Sequence, residues 1–149
     1  DKIYKYTFSV FYGLCWKGFS DEELFTTKAK SVIGNRIVLD DREVHLSERM
    51  AGILKEYLAA ENMTVGEQTC KFVQSDLIIK CLDRNGSIGV INSNYHATKS
   101  KAWKRITEDL PIESRFYGKK IIPNKIRQSG AYYRLWQKLL HLLPAYLLN

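Results

Sequence analysis

The 149-residue sequence predicts a mostly helical α+β domain carrying a small antiparallel sheet. Three observations predict it. Apolar residues recur at helical spacing in several separate stretches, and one short stretch alternates about an Asp-Asp pair. No repeat, low-complexity tract or linker divides the chain, so residues 1–149 read as a single domain. The length and the 45% hydrophobic content suffice to bury a core.

The first helix is predicted from Tyr4, Phe8, Phe11, Tyr12 and Cys15, which share one face. Gly18 is its expected stop. Ser20 precedes "DEELFTTKA", a serine cap with acids in the first turn. Free N–H groups there favour oxygen acceptors and negative charge, so a second helix is expected. "RIVLDDREVHL" alternates on both sides of Asp40-Asp41 and predicts a hairpin with strands at about 36–40 and 42–46. Ser47 then caps a helix whose apolar stripe is Met50, Ile53, Leu54, Tyr57 and Leu58.

Residues 65–82 admit two patterns. Cys70, Val73, Leu77 and Cys81 fit a helix, whereas "LIIKCL", "DRNG" and "SIGVI" fit a hairpin turning at Asn85-Gly86. A short helix leading into a strand satisfies both. "ATKSKAWKRITEDL" predicts a basic helix with Trp103, Ile106 and Leu110 inward, ended by Pro111. After a loop, Pro123 opens a helix over about 124–142. Its expected core residues are Ile126, Tyr133, Leu135, Trp136, Leu139, Leu140 and Leu143, and Pro144 closes it.

Several function classes find no support. Cys15, Cys70 and Cys81 form no CxxC pair, and His45, His96 and His141 are scattered, so no metal or other cofactor is expected. Reduced thiols fit an intracellular protein. Phosphate-loop, dinucleotide, zinc-protease and nucleophile-elbow motifs are missing. "LLHLLPAYLL" is too short to span a bilayer, and "DKIYKYTFSV" has no signal-peptide pattern. No membrane partner is therefore expected. The first residue is not methionine, as in a processed or trimmed chain. Asp21-Glu22-Glu23 reads as a solvated acidic face that complements a helix dipole.

The charge is uneven. Residues 1–98 hold 12 Lys and Arg against 13 Asp and Glu; residues 99–149 hold 11 against 3. The excess of +8 in the last third points to a polyanion, and double-stranded DNA is the first candidate. Lys99, Lys101, Lys104, Arg105, Lys119, Lys120, Lys125, Arg127 and Arg134 are the candidate DNA contacts, with Tyr132, Tyr133 and Trp136 interleaved. Arg127 is the one candidate for gripping a reacting phosphate, because arginine offers paired donors.

"FSVFYGLCWKGFSDEELFTTKAKSV", then "RIVLDDREVHLSERMAGILKEYL", a basic helix and "IIPNKIRQSGAYYRL" together resemble the catalytic domain of tyrosine recombinases, the phage and transposon integrases. The resemblance is one of order and local pattern and runs over roughly residues 3–138. It implies a recombinase-like fold and a chemistry in which a tyrosine attacks a DNA phosphodiester. Two arginines steady the charge on the phosphate, and a lysine protonates the leaving oxygen. Arg127 matches the arginine of the family's H-x-x-R element, with Asn124 in place of the histidine and Gln128 following it. The first arginine should come after the "YGL" turn, yet only Lys17 is near. Acids stand at the hairpin lysine's place, Leu39-Asp40-Asp41. His141 and Tyr146 lie too close to Arg127 to match the later histidine and the nucleophile.

The expectation is thus a DNA-binding, recombinase-like domain without a complete strand-cleavage site, located in the cytoplasm on the nucleoid or in a eukaryotic nucleus. One alternative is a fragment of an active recombinase whose tyrosine lies outside the chain. Another is a non-enzymatic interaction domain that self-associates through the aromatic and leucine-rich C-terminal segment.

Overall fold

Helix α1 (Lys2–Trp16) is the central element, and its sequence buries more than one face. Val10, Phe11, Leu14 and Cys15 are all buried, while Tyr4, Phe8 and Tyr12 are half-buried along the flank. Two faces are covered because α1 packs on both α3 (Glu48–Ala59) and α4 (Pro123–Leu142). Each large apolar side chain removed from water there contributes about 1.5–3 kcal/mol. The computed structural model describes residues 2–65, 67–72, 74–80 and 123–143. The expected helix at 97–110, its loop and the Asn85-Gly86 hairpin lie outside these residues.

The end of α1 falls where the sequence places it. Gly18 has φ 91°, Gly18 N–H donates to Cys15 O and Phe19 N–H donates to Leu14 O. A left-handed residue closing a helix with this pair of bonds is a Schellman cap, and glycine takes that conformation without strain. The turn is therefore at Gly18 and not at Tyr12-Gly13-Leu14, which lie inside the helix. Gly13 serves packing instead: a Cβ there would stand 2.8 Å from Met50 Cε on α3.

Helix α2 (Asp21–Thr26) opens with a reciprocal capping box. Ser20 Oγ accepts from Glu23 N–H at 3.1 Å, and Glu23 Oε1 accepts from Ser20 N–H at 3.0 Å. A three-stranded antiparallel sheet follows, in order β1 (Val32–Ile33), β2 (Arg36–Val38), β3 (Glu43–His45). Register Ile37↔Val44 turns both side chains into the core, and the chain reverses through Asp40-Asp41. The β2–β3 hairpin is as predicted but with shorter strands. Strand β1 is an addition, paired with β2 across Gly34-Asn35, with Gly34 at φ 60°. Ser47 caps α3 by accepting from Met50 N–H, and Leu54 and Tyr57 are buried from its predicted stripe.

The mixed reading of residues 65–82 is corrected. Strands β4 (Asn62–Val65) and β5 (Gln68–Lys71) form an antiparallel hairpin, and no helix occurs among the described residues from 62 to 80. Helical spacing of Cys70, Val73 and Leu77 is overridden by pairing: Met63 faces Cys70 and Thr64 faces Thr69. Beyond the hairpin the chain runs alongside α2's exit, with Ile78 N–H donating to Thr27 O, and buries Ile78 and Ile79. Lys80 fastens this segment. Its Nζ donates to the carbonyls of Leu58 and Ala60 at the end of α3, and its own N–H donates to Tyr57 Oη at 2.8 Å. A cation on the last carbonyls suits the negative end of the helix.

Helix α4 occupies the predicted range but not the predicted face. Ile126 packs on the core, whereas Tyr133, Leu135, Trp136, Leu139 and Leu143 are exposed and Leu140 is half-buried. The contacts of α4 with the end of α1 include the Tyr133 ring on Trp16 and the Arg134 bond to Trp16 O.

Candidate functional site

Arg127 and a second arginine, Arg42, both converge on the junction Gly18–Glu23 between α1 and α2. Arg127 comes from the first turns of α4. Its Nε donates to Phe19 O, one terminal nitrogen donates to Asp21 Oδ1 at 2.6 Å and the other to Asn124 Oδ1 at 2.8 Å. Three of its five N–H donors are thus met among the described residues. The side chain is only 17% exposed. A guanidinium so placed ties α4 to the junction before it can serve any outside phosphate.

Arg42 follows the Asp40-Asp41 reversal, and its fork grips Glu23 with two bonds, at 2.7 Å and 3.1 Å. The same guanidinium lies 6.0 Å from the centre of the Phe19 ring. The junction is therefore clamped by two arginines, Arg127 paired with Asp21 and Arg42 paired with Glu23 and, at 3.1 Å, with its neighbour Asp41. This corrects the solvated reading of Asp21-Glu22-Glu23: Asp21 and Glu23 are ion-pair partners. Arg42 carried no local signal for this role, since its partner is nineteen residues away and on another element.

Backbone proximity makes the α4 contact possible. A Cβ at Gly130 would stand 2.1 Å from Trp16 O, so only glycine lets α4 lie this close to the end of α1. Arg134 Nη1 donates to that same carbonyl at 2.6 Å, and the Trp16 and Tyr133 rings meet at 5.6 Å. Arg134 hence caps α1.

The ionisation of the junction follows from these contacts. Burial pushes the Cys15 thiol up to about 11, with the Asp21 carboxylate adding to the rise and Arg127 opposing it. A thiol held there is no nucleophile near neutral pH. Burial also raises the Glu23 carboxyl, but the bonds from Arg42 and Ser20 and the Arg42 charge outweigh it and hold Glu23 below its ordinary value. A carboxyl depressed in the folded state stabilises the fold above its unfolded pKa, and that contribution is lost as pH falls through the folded one. Acid titration of the Tm should therefore fall more steeply for the parent chain than for Glu23→Gln below the usual glutamate range. Identical slopes would show that Glu23 is not held by Arg42.

The DNA-contact candidates divide into three groups. Lys125 is exposed; Arg127 and Arg134 are engaged as described; Lys99, Lys101, Lys104, Arg105, Lys119 and Lys120 lie outside the described residues. His45 is exposed on β3, and no group of His, Cys, Asp and Glu able to hold a metal occurs among the described residues. No described helix is long and apolar enough to cross a membrane. An open groove of about 870 Å³ along α3, lined by Val32, Asn35, Glu48, Gly52 and Lys55 among others, shares no residue with the clamped junction.

Compared with family models, curated protein sequences and solved structures, the chain matches none.

Proposed function

We propose that the chain is a duplex-DNA-binding domain built on the plan of a tyrosine recombinase catalytic domain, acting without strand cleavage. The observation that carries the reading is the charge division: +8 over residues 99–149 against −1 over residues 1–98. A cationic excess confined to one third of a chain attracts a polyanion to that third, while the balanced charges of the rest do not. The recombinase plan is supported by adjacency. The resemblance calls for two arginines beside one phosphate, one after the first helix and one at Arg127, and these two places touch through Phe19 and Asp21.

The same adjacency argues against cleavage. The stretch after "YGL" that should hold the first arginine, "CWKGFSDEEL", holds none, and its Asp21 puts a carboxylate on Arg127. A negative group there opposes an incoming phosphate, and the donors needed to stabilise a transition state are already committed. Binding without chemistry is the consequence.

The test is a nicked suicide duplex, which traps any covalent phosphotyrosine. Retention of the duplex at 50 mM salt with no adduct on any tyrosine is the expected result. A covalent adduct would restore the active-recombinase reading, and no retention would end both.

A further inference from the structure

We propose that the outward face of the last three turns of α4 is a docking surface for an amphipathic helix of another protein, one whose apolar edge is bordered by Asp and Glu. Helix α4 has two faces. Ile126, Gly130 and Arg134 succeed one another at four-residue steps and meet the core and the end of α1. At 3.6 residues per turn, Tyr132, Leu135, Trp136, Leu139, Leu142 and Leu143 form a stripe on the opposite side. All six are exposed, Tyr132 by 70% and Leu142 by 80%. The side that continues toward α1 is polar instead: Arg134, Gln137 and His141. Among the described residues the stripe points away from the contact with the end of α1.

Its spacing is that of helix-in-groove anchors, with partners at i, i+3, i+4 and i+7. Two aromatics of about 150–250 Å² each and four leucines approach one side of a standard interface, about 800 Å² per partner.

Charge selects the occupant. Residues 123–143 contain Lys125, Arg127, Arg134 and Lys138 and no Asp or Glu. Lys138 borders the stripe, three residues from Leu135 and four from Leu142. A second copy of α4 would set cation against cation with no counter-charge. An anionic lipid surface laid on the stripe would meet Lys138 alone at its border, worth about 1 kcal/mol. An acidic border satisfies Lys138 and leaves the stripe to the partner's apolar edge. DNA phosphates have no use for six apolar side chains, so this surface is independent of the DNA reading.

The probes are two labelled 21-residue peptides with the same leucine stripe, one bordered by Glu and one by Lys, titrated into the full chain by fluorescence anisotropy. The Glu-bordered peptide should bind at least tenfold tighter than its Lys-bordered twin. Leu139→Glu with Leu142→Glu should weaken it at least tenfold while leaving the thermal melt unchanged, because both leucines are exposed. Lys138→Glu, which leaves the stripe intact, should narrow the ratio between peptides at least threefold. Equal affinities, or no binding of either, would overturn the proposal. So would dimerisation of the parent in sedimentation, or flotation with phosphatidylglycerol vesicles, if the leucine variant abolished it.

Discussion

Gly130→Ala is expected to destabilise the chain by about 2–3 kcal/mol, lowering Tm by roughly 5–10 °C, although alanine is the better helix former. The two effects have opposite signs and different sources. Within α4 alone the substitution favours the helix by about 0.8–1 kcal/mol. In the folded chain the new methyl would stand 2.1 Å from Trp16 O and 3.0 Å from Trp16 C, both backbone atoms at the end of α1. A backbone cannot swing aside as a side chain can, so α4 must move out and loosen its hold on the junction. A peptide of residues 123–143 should gain helicity by circular dichroism on the same change. A full chain whose Tm rises or stays put would show that α4 does not rest on α1.

Arg127→Ala should cost a similar amount, about 2–3 kcal/mol, by a different route. It removes the bonds to Asp21 Oδ1 and Phe19 O at a contact where the guanidinium is largely buried, and losing charge-assisted bonds there is expensive. Arg127→Lys should recover less than half of the loss. An ammonium is a point charge and cannot serve Phe19, Asp21 and Asn124 in three directions as the planar fork does. Double substitution with Asp21→Asn should cost less than the two single changes added together, the mark of a direct pair. Additive losses would mean that Arg127 and Asp21 act separately.

The chain's local grammar was legible and its long-range pairing was not. Ser20 and Ser47 announce helix starts because their hydroxyls satisfy N–H groups a few residues away, and Gly18 announces a stop for an equally local reason. Asp40-Asp41 marks a hairpin by the alternation on either side. Strand β1 is two residues long, too short for alternation to show, although Gly34-Asn35 between Val32-Ile33 and Arg36-Ile37 is a turn signal. Residues 65–82 misled because the three- and four-residue spacings of Cys70, Val73 and Leu77 mimic a helix, while pairing between β4 and β5 decides the outcome up to Lys71. In α4 the sequence displays an apolar stripe but not which side meets the body. That is set by Gly130, whose value lies in the absence of a side chain. The candidate site followed the same division. Arg127 stands out from its surroundings, but its partners Phe19 and Asp21 are more than a hundred residues away, and Arg42 gives no sign of Glu23.

The two clamped arginines also separate scaffold from contact. A chain that binds DNA through its last third should keep its affinity when exposed acids of the first two thirds are neutralised, and lose it as salt displaces the cations from phosphate. The most direct test is the affinity for a 20–30 base-pair duplex measured from 50 to 200 mM salt. The logarithm of the association constant should fall linearly against the logarithm of salt, with a slope of about −4 to −6, as for roughly four to seven neutralised phosphates. A flat line, or no measurable binding at 50 mM, would contradict the account.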